Sequence, residues 1–267
     1  MSDGLGSPDA VLRPSDAAPV LDIDRRVAGA ALAAYVDYHW YVGWRTAVPH
    51  RQQVLPQPRV HLAAELHDGE PRLLVNGVTR GPFERTVTGT GHTLGAAFHP
   101  GGFRPVLGRA VGTVSGASVP AGDVLAVDDR DTAARILATA DVDEMVEAME
   151  AYVIALDPQP DPVVDEVRAL VARAEQDRSI TRAEQLADLA STSLRSLQRL
   201  FTEYVGIGPK WVVARFRILD AAAAAHSGER VDWAALAADL GYTDQAHLTR
   251  AFTAVVGTPP ATYAREA

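Results

Sequence analysis

The sequence predicts an α+β protein of two domains, a β-rich domain followed by an all-helical domain with two helix-turn-helix units. Three observations support this. Short segments with alternating apolar residues and turn signals between them occupy much of the first half. A proline-rich stretch, Asp157–Pro162, then interrupts the chain. After it, a helix-turn-helix pattern occurs twice with an offset of 51 residues, which indicates a tandem repeat.

Composition sets the domain boundaries. Residues 1–20 are rich in Ser, Asp, Ala and Pro, lack the features of a signal peptide, and are predicted to be disordered. Residues 21–157 form the predicted β-rich domain, of cupin-like or sandwich type, and end in helices. Residues 158–163 form a linker whose prolines we expect to hold the domains apart, and residues 164–267 form the helical domain. No apolar run reaches the ~18 residues of a membrane span, so we expect no membrane contact.

The first domain contains one strongly patterned strand. Val36, Tyr38, Trp40, Val42 and Trp44 alternate with other residues and favour a strand, with breaks at Pro49, Pro56 and Pro58. The segment from Asp22 to Tyr35 is interpreted as a short helix. Further strands are predicted at Val60–Leu66, Arg72–Val75, Arg85–Thr90 and Thr93–Phe98, followed by one helical turn at Phe103–Leu107.

The end of the first domain, Val124–Ala155, is predicted to be helical. It carries one apolar stripe around Ile136 and a second around Met145 and Met149. Packing of these stripes on their own domain is the favoured interpretation, and a dimer contact is the alternative.

The helical domain repeats one unit. Helices are predicted at Val164–Glu175, from a capping box at Thr181–Glu184 to Leu189, at Leu194–Tyr204, at Lys210–His226 and after Asp232. Gly241 then turns the chain into a helix capped by Asp244. The offset of 51 pairs Leu189 with Leu240, Thr192 with Thr243, Leu197 with Leu248, Arg199 with Arg250 and Phe201 with Phe252.

The second helix of each unit has one face suited to a DNA groove. Leu248, Phe252 and Val255 line the inward face, whereas the opposite face carries short side chains and one arginine. The net charge of −9 does not oppose this, because it lies mostly in the first domain. Before Val163 the chain has 13 basic and 21 acidic residues, and from Val163 onward it has 12 and 13.

Residues from about 164 to 266 resemble the DNA-binding domain of the AraC/XylS family of bacterial transcription regulators. The residues that carry the resemblance are Gly241-Tyr242, Asp244, His247-Leu248, Arg250, Phe252, Gly257, Pro259-Pro260 and Tyr263, with Ser193–Phe201 and Gly208-Pro209 in the first unit. The resemblance implies seven helices and two recognition helices in successive major-groove turns.

The resemblance also implies which side chains contact bases. These are Arg195, Gln198 and Arg199 in the first recognition helix and Gln245, Ala246, Thr249 and Arg250 in the second. Ala246 departs from family members with a polar contact there, and an alanine can touch only a thymine methyl group. His247 is interpreted as a phosphate-contacting or packing residue.

The first domain resembles the β-rich sensory domain of many members, notably in the segment His92–Phe103. The resemblance implies a cytoplasmic, nucleoid-associated regulator that binds double-stranded DNA and a small-molecule effector, without catalysis or cofactor. A homodimer is a further expected partner arrangement, and RNA polymerase is a partner if the protein activates transcription.

Two alternatives stay open: a constitutive DNA binder whose first domain only dimerises, and a cupin-like enzyme fused to a DNA-binding domain. A DNA-alkylation repair protein of the Ada type is excluded, because its thiolate sites need cysteine and this chain has none.

Aromatic and histidine residues are the candidates for a ligand site in the first domain. Trp40, Trp44 and Phe98 are predicted to line an apolar pocket, with core packing as the alternative. Five histidines, His39, His61, His67, His92 and His99, lack the usual spacing of a metal site with a downstream Glu, so no metal is predicted.

Overall fold

The computed structural model describes residues 20–226 and 231–266, and the predicted disorder of residues 1–20 lies almost entirely outside them. The first domain is built on one antiparallel sheet of six strands in the order β1-β2-β5-β3-β4-β6. The strands are β1 (Leu21–Val27), β2 (Val36–Val54), β3 (His61–His67), β4 (Glu70–Asn76), β5 (Phe83–Phe98) and β6 (Ser118–Pro120).

The two long strands, β2 and β5, form a ribbon that extends beyond their neighbours and curls. Val54 pairs with Phe83 at the far end of this ribbon, whereas His61, only seven residues after Val54, pairs with Ala97. A straight β5 would place Phe83 roughly 45 Å from Ala97, which is more than the loop at 55–60 can span at about 3.5 Å per residue. The ribbon therefore bends back over the sheet, and Arg85 near its end forms an ion pair with Glu65 on β3.

Helices cover the other face of the sheet. After β5 come α1 (Arg104–Leu107), two short 3₁₀ helices (Val111–Val114 and Ala121–Asp123), α2 (Arg130–Ala138) and α3 (Val142–Ala155). Ile136, Met145 and Met149 are fully buried in a core with sheet residues such as Leu62 and Leu94. Both apolar stripes thus pack on their own domain, as the favoured interpretation predicted.

A buried ion pair fixes the start of α2. Asp129 accepts hydrogen bonds from Arg72 Nε and Nη2 at 2.8 and 2.9 Å, and from the backbone N–H groups of Leu73 and Gly122. Its side chain is fully buried. Four hydrogen bonds compensate the desolvation of this carboxylate, so the pair holds α2 against β4.

Three predictions about local structure in the first domain are wrong. Part of the proposed helix between Asp22 and Tyr35 is strand β1, paired with Tyr38–Trp44 of β2. Pro49 does not end β2, because the register shifts between Thr46 and His50 and the ladder needs no N–H there. The two strands proposed between Arg85 and Phe98 are one strand, because Gly91, His92 and Thr93 pair with β2 without interruption.

The helical domain contains seven helices within the described residues. They are α4 (Pro162–Gln176), α5 (Ala183–Leu189), α6 (Leu194–Tyr204), α7 (Pro209–His226), α8 (Trp233–Asp239), α9 (Gln245–Val256) and α10 (Pro260–Glu266). Helices α4–α6 and the first part of α7 enclose one core around Leu197 and Phe201. The second part of α7 and helices α8–α10 enclose another around Leu248 and Phe252.

The linker does not hold the two domains apart. Its ends are fixed by both: Tyr35 donates a hydrogen bond to the Pro158 carbonyl at 3.0 Å, and Tyr204 donates one to Asp161 at 2.8 Å. Between the domains, Arg104 pairs with Glu203 at 2.7 Å and Ser115 donates to the Gly206 carbonyl at 2.6 Å. The expectation failed because stiffness of a linker does not prevent surfaces beyond it from packing.

Candidate nucleic-acid interface

Helix α6 presents one polar face because its start and its buried side are fixed locally. Ser193 caps the helix by accepting from the Ser196 N–H at 3.1 Å. Leu197 and Phe201 are fully buried one turn apart, which sets the rotation of the helix. The three predicted contact residues of this helix, Arg195, Gln198 and Arg199, are all exposed on the other side.

Helix α9 has the same construction. Asp244 accepts from the His247 N–H at 2.7 Å, and Leu248, Phe252 and Val256 are buried. Gly241 has a φ of 78°, the left-handed conformation predicted for the turn. His247 is exposed, and its ring meets Tyr242 edge to face at 5.2 Å.

The predicted contact residues of α9 form one surface. Gln245, Ala246 and Arg250 are exposed and Thr249 is half-buried, and these four side chains together line a shallow depression. No carboxylate within the described residues forms an ion pair with Arg195, Arg199 or Arg250. Their guanidinium groups can therefore offer their donors to an external acceptor.

The structure corrects the alignment of the repeat. The first helices of the two units, α5 and α8, are offset by 50 residues, with N-caps at Arg182 and Asp232. From the caps of the recognition helices onward the offset is 51, which retains the pairing of Arg199 with Arg250. The turn of the second unit is thus one residue longer, and Leu189 and Leu240 are not equivalent.

The capping box of α5 also differs from the prediction by one position. Gln185 Oε1 accepts from the backbone N–H groups of Thr181 and Arg182, each at 2.9 Å. Gln185, not Glu184, therefore completes the box, and the helix begins at Ala183.

The three candidate ligand residues of the first domain do not lie together. Trp40 and Trp44 lie on the face inside the curl, where their rings cover Gly95 and Gly91. Phe98 is fully buried on the opposite face and meets Phe103 at 4.9 Å between ring centroids. Phe98 is thus a core residue, because odd and even residues of β5 point to opposite sides of the sheet.

Polar groups accompany the tryptophans inside the curl. Trp40 Nε1 donates to His61 Nδ1 at 3.1 Å, which requires a neutral His61. Burial, reinforced by the charges of Arg59 and Arg25, lowers the pKa of His61 to about 3. Burial also raises the pKa of Glu65, although Arg85 opposes the shift.

The other histidines serve packing and hydrogen bonding. His39 is fully buried and its Nε2 lies 3.0 Å from Glu150, and His92 stacks on Tyr41. Within residues 20–226 and 231–266, no group of three or more His, Asp or Glu side chains is placed to hold a metal ion.

Comparison with protein families agrees with the geometry of the helical domain. Residues 186–266 match the family described as a helix-turn-helix domain, and residues 25–120 match a domain of unknown function, DUF6597. The helical domain is a helix-turn-helix domain of the AraC type. The protein is thus an AraC-type DNA-binding regulator with an N-terminal antiparallel sheet domain. No curated protein sequence matches the chain.

Solved structures of ToxT from Vibrio cholerae are similar to this AraC-type protein along its length. A 1.65 Å structure is 9% identical with a TM-score of 0.37, over 92% of this chain and 97% of that one. ToxT bound to an unsaturated fatty acid is 10% identical with a TM-score of 0.36, over 92% of this chain and 94% of that one. ToxT bound to (E)-4-(8-methylnaphthalen-1-yl)but-3-enoic acid is 10% identical with a TM-score of 0.37, over 92% and 98%. A likeness of this degree assigns no ligand to the present regulator.

Sequence reasoning missed the residues that join the two domains of this AraC-type regulator. Leu55 is 3% exposed and lies in the core of the second unit, and Val78 is 3% exposed in the core of the first. Arg215 of α7 is buried and its Nε donates to the Pro56 carbonyl. The sequence indicated these positions only weakly: Leu55 and Val78 are apolar residues that lie next to the turns at Pro56 and Gly77.

None of the helices in the described part of the chain combines the length and the apolar composition that crossing a bilayer requires.

Proposed function

We propose that the regulator reads two adjacent major-groove segments on one side of a DNA duplex, one with each recognition helix. Arg195, Gln198 and Arg199 of α6 contact the first segment. Gln245, Ala246, Thr249 and Arg250 of α9 contact the second. Arginine and glutamine suit this role because they form paired hydrogen bonds with guanine and adenine edges.

The observation that carries this proposal is the duplicated construction of α6 and α9. Each helix has a side-chain cap, a buried leucine–phenylalanine pair and an exposed arginine at the equivalent position, Arg199 or Arg250. Between them, α7 has 18 residues and is about 27 Å long. That length is compatible with recognition helices spaced near one duplex turn, ~34 Å.

Footprinting tests the proposal. A duplex is first selected from a random pool with the full-length protein and then treated with hydroxyl radicals in the presence and absence of protein. We expect protection over roughly two helical turns on one face of the duplex. Protection of a single turn would contradict the use of both helices.

We further propose that the first domain controls DNA binding in response to a small molecule bound inside the curled sheet. Trp40 and Trp44 would provide its apolar surface, and His61 and Glu65 its polar groups. This combination of aromatic and ionisable side chains is typical of small-molecule sites. The ligand must bind one arrangement of the domains better than another to have this effect.

Two experiments separate this proposal from a constitutive regulator whose first domain only dimerises. Calorimetry with metabolite fractions tests for a ligand, and sedimentation tests for a homodimer. Trp40→Ala and Trp44→Ala in the full-length protein test control directly, because they keep Leu55 and Val78 in the cores of the helical domain. If transcription in these variants responds to cell extract like the parent protein, effector control through the curled sheet is wrong. RNA polymerase as a partner and the nucleoid as location stay predictions.

A further inference from the structure

The loop between β2 and β3 and the turn after β4 belong to the first domain but enter the cores of the helical domain. Leu55 packs with Ile218, Leu248 and Phe252 of the second unit. Val78 packs with residues of the first unit, among them Leu197 and Phe201. The first domain therefore contributes one buried side chain to the core of each recognition unit. We call Leu55 and Val78 the bridge residues.

The second unit has a structural need for Leu55. The first unit has a complete helix, α4, whose Val167, Leu170 and Val171 help close its core. The corresponding side of the second core is formed by α7, where Ala221 and Ala222 are short. The Leu55 side chain is buried in the same cluster as these alanines. Close packing of protein interiors makes such a residue part of the unit's own core.

Arg215 fixes the bridging loop to α7 between the two cores. Burial lowers its pKa to about 10, yet its Nε donates to the Pro56 carbonyl, which compensates part of the desolvation. On the side of the first unit, the Ser115–Gly206 hydrogen bond and the Arg104–Glu203 pair add polar contacts at the end of α6. The sheet domain is thus attached to the end of one recognition helix, to α7 and to the core beneath the other recognition helix.

We propose that the first domain, through Leu55 and Val78, sets the distance and orientation between the two recognition helices. The bridge residues are positioning residues, because they act through the cores and not by touching DNA. The consequence for DNA rests on the function proposed above: the regulator would discriminate between operators by the spacing of their two half-sites. A helix of 18 residues alone can bend, whereas a second connection fixes its two ends relative to each other.

The geometric part is tested without DNA by measuring the distance between the recognition helices. The chain contains no cysteine, so Ser196→Cys and His247→Cys provide two unique, exposed and equivalent labelling positions. Nitroxide labels at these positions and double electron–electron resonance give the distance distribution in the full chain. We expect one narrow population in the parent protein. Leu55→Ala and Val78→Ala should each broaden the distribution or add a second population.

Matched controls are available on the exposed surface of the same domain. Leu66 is 67% exposed and Val48 is 68% exposed, so Leu66→Ala and Val48→Ala remove the same groups without touching a core. They should leave the distances unchanged. If Leu55→Ala and Val78→Ala also leave the distances unchanged while the helical content is retained, α7 alone sets the geometry and the proposal is wrong.

Hydrogen exchange covers the case in which Leu55→Ala weakens folding. Loss of protection confined to residues 231–266 would support the assignment of Leu55 to the second unit, and Val78→Ala then decides the geometric question. Loss of protection spread evenly over both domains would overturn the assignment.

The DNA part uses the selected duplex and variants in which the half-sites are moved one base pair closer or farther apart. The parent protein should prefer one spacing, and Leu55→Ala should lose much of that preference. Equal spacing preference in parent and variant would overturn this part. If no duplex is selected at all, the proposed function fails, whereas the distance measurement still stands.

Discussion

At the scale of single residues, Arg199 and Arg250 carry the most specific expectation. Both are exposed, lie at equivalent positions of α6 and α9, and have no ion-pair partner in the described part of the chain. Arg199→Ala and Arg250→Ala should each cost about 1–3 kcal/mol of binding free energy on the selected duplex. On random DNA the loss should be small, because phosphate contacts dominate there. Fluorescence anisotropy titrations at one fixed salt concentration measure both.

A third arginine provides the comparison. Arg135 is exposed on α2 of the first domain, so Arg135→Ala removes the same charge away from both recognition helices. It should change neither affinity. An equal loss on selected and random DNA for Arg199→Ala or Arg250→Ala would instead make that residue a backbone contact.

His61 gives the protein a predictable sensitivity to acid. Its pKa of about 3 in the fold lies below the ordinary value of 6.5, so the unfolded chain binds the proton more readily. The stability due to neutral His61 is complete above pH 6.5 and is lost as the pH falls from 6.5 towards 3. At pH 5 the loss is about 2 kcal/mol of unfolding free energy relative to pH 8. Urea unfolding at several pH values measures it.

The matched variants isolate His61 from the other titrating groups. A glutamine can still accept the hydrogen bond of Trp40 but does not titrate, so His61→Gln should reduce the loss between pH 8 and pH 5 by about 2 kcal/mol. Burial also lowers the pKa of His39 and of His99, so part of the loss should remain. His67 is 40% exposed, and His67→Gln should leave the loss of unfolding free energy between pH 8 and pH 5 unchanged. An unchanged pH dependence in His61→Gln would mean that His61 is not the responsible group.

At the scale of elements, the turn inside each helix-turn-helix unit contains one left-handed residue. Introducing glycine there should stabilise the protein, and removing glycine should destabilise it. Ser191 has a φ of 49° and Gly241 a φ of 78°, so both turns contain a left-handed residue. Ser191→Gly should raise the unfolding free energy by roughly 0.5–1 kcal/mol, since glycine adopts this conformation without strain. Gly241→Ala should lower it by about 1–2 kcal/mol, and the new Cβ would lie 2.5 Å from Thr181 Cβ.

Gly208 serves as the control for the turn substitutions. It has no left-handed φ, and a Cβ there would meet no atom within 4 Å. Gly208→Ala should therefore change the melting temperature little. If Gly241→Ala has an equally small effect, the turn tolerates a side chain and the strain assigned to it is absent.

Elements with local signals were predictable from the sequence. Helix α6 has the predicted bounds, Leu194–Tyr204, and α9 begins after Asp244 as predicted, because a cap and a buried periodic face lie within each segment. The candidate contact residues followed from the same pattern, and the structure places them on the exposed faces. Their contact with DNA stays a prediction.

Elements that depend on distant partners were not predictable. Strand β1 is an exception, because Leu21, Ile23 and Val27 alternate with charged residues, a local signal that the helix interpretation overlooked. Continuity of β5 depends on its pairing with β2, where Trp40 and Trp44 lie opposite glycines that would otherwise indicate a break. The separation of Phe98 from both tryptophans follows from the strand register, and the positions of Leu55 and Val78 from the packing of whole domains.

At the scale of the whole molecule, the shared cores determine how the protein unfolds. Leu55 and Val78 are buried with side chains of the helical domain, and Arg215 bonds to the sheet domain. Separating the domains would expose these groups to water together. We therefore expect both domains to unfold in one transition, as a single cooperative unit does.

Urea unfolding followed by two probes measures this coupling. Four tryptophans are divided between the domains: Trp40 and Trp44 in the first, Trp211 and Trp233 in the second. With Trp211→Phe and Trp233→Phe, fluorescence reports only the sheet domain, while ellipticity at 222 nm reports mainly the helices. The two midpoints should coincide in this otherwise unchanged protein. Separate midpoints would show that the cores act independently and that contact between the domains is weak.

Truncation of the bridge residues should uncouple the same two probes. Leu55→Ala and Val78→Ala together remove the apolar contacts that these two side chains make in the two helical cores. Each large-to-small change in a core lowers the free energy of unfolding, because contacts are lost and a cavity is left. The helical domain loses these contacts in its own cores, so its midpoint should fall further than that of the sheet domain. The exposed pair Leu66→Ala and Val48→Ala should leave the midpoints together. Equal shifts in both probes after truncation of the bridge would mean that polar contacts such as Arg104–Glu203 and Ser115–Gly206 suffice to couple the domains.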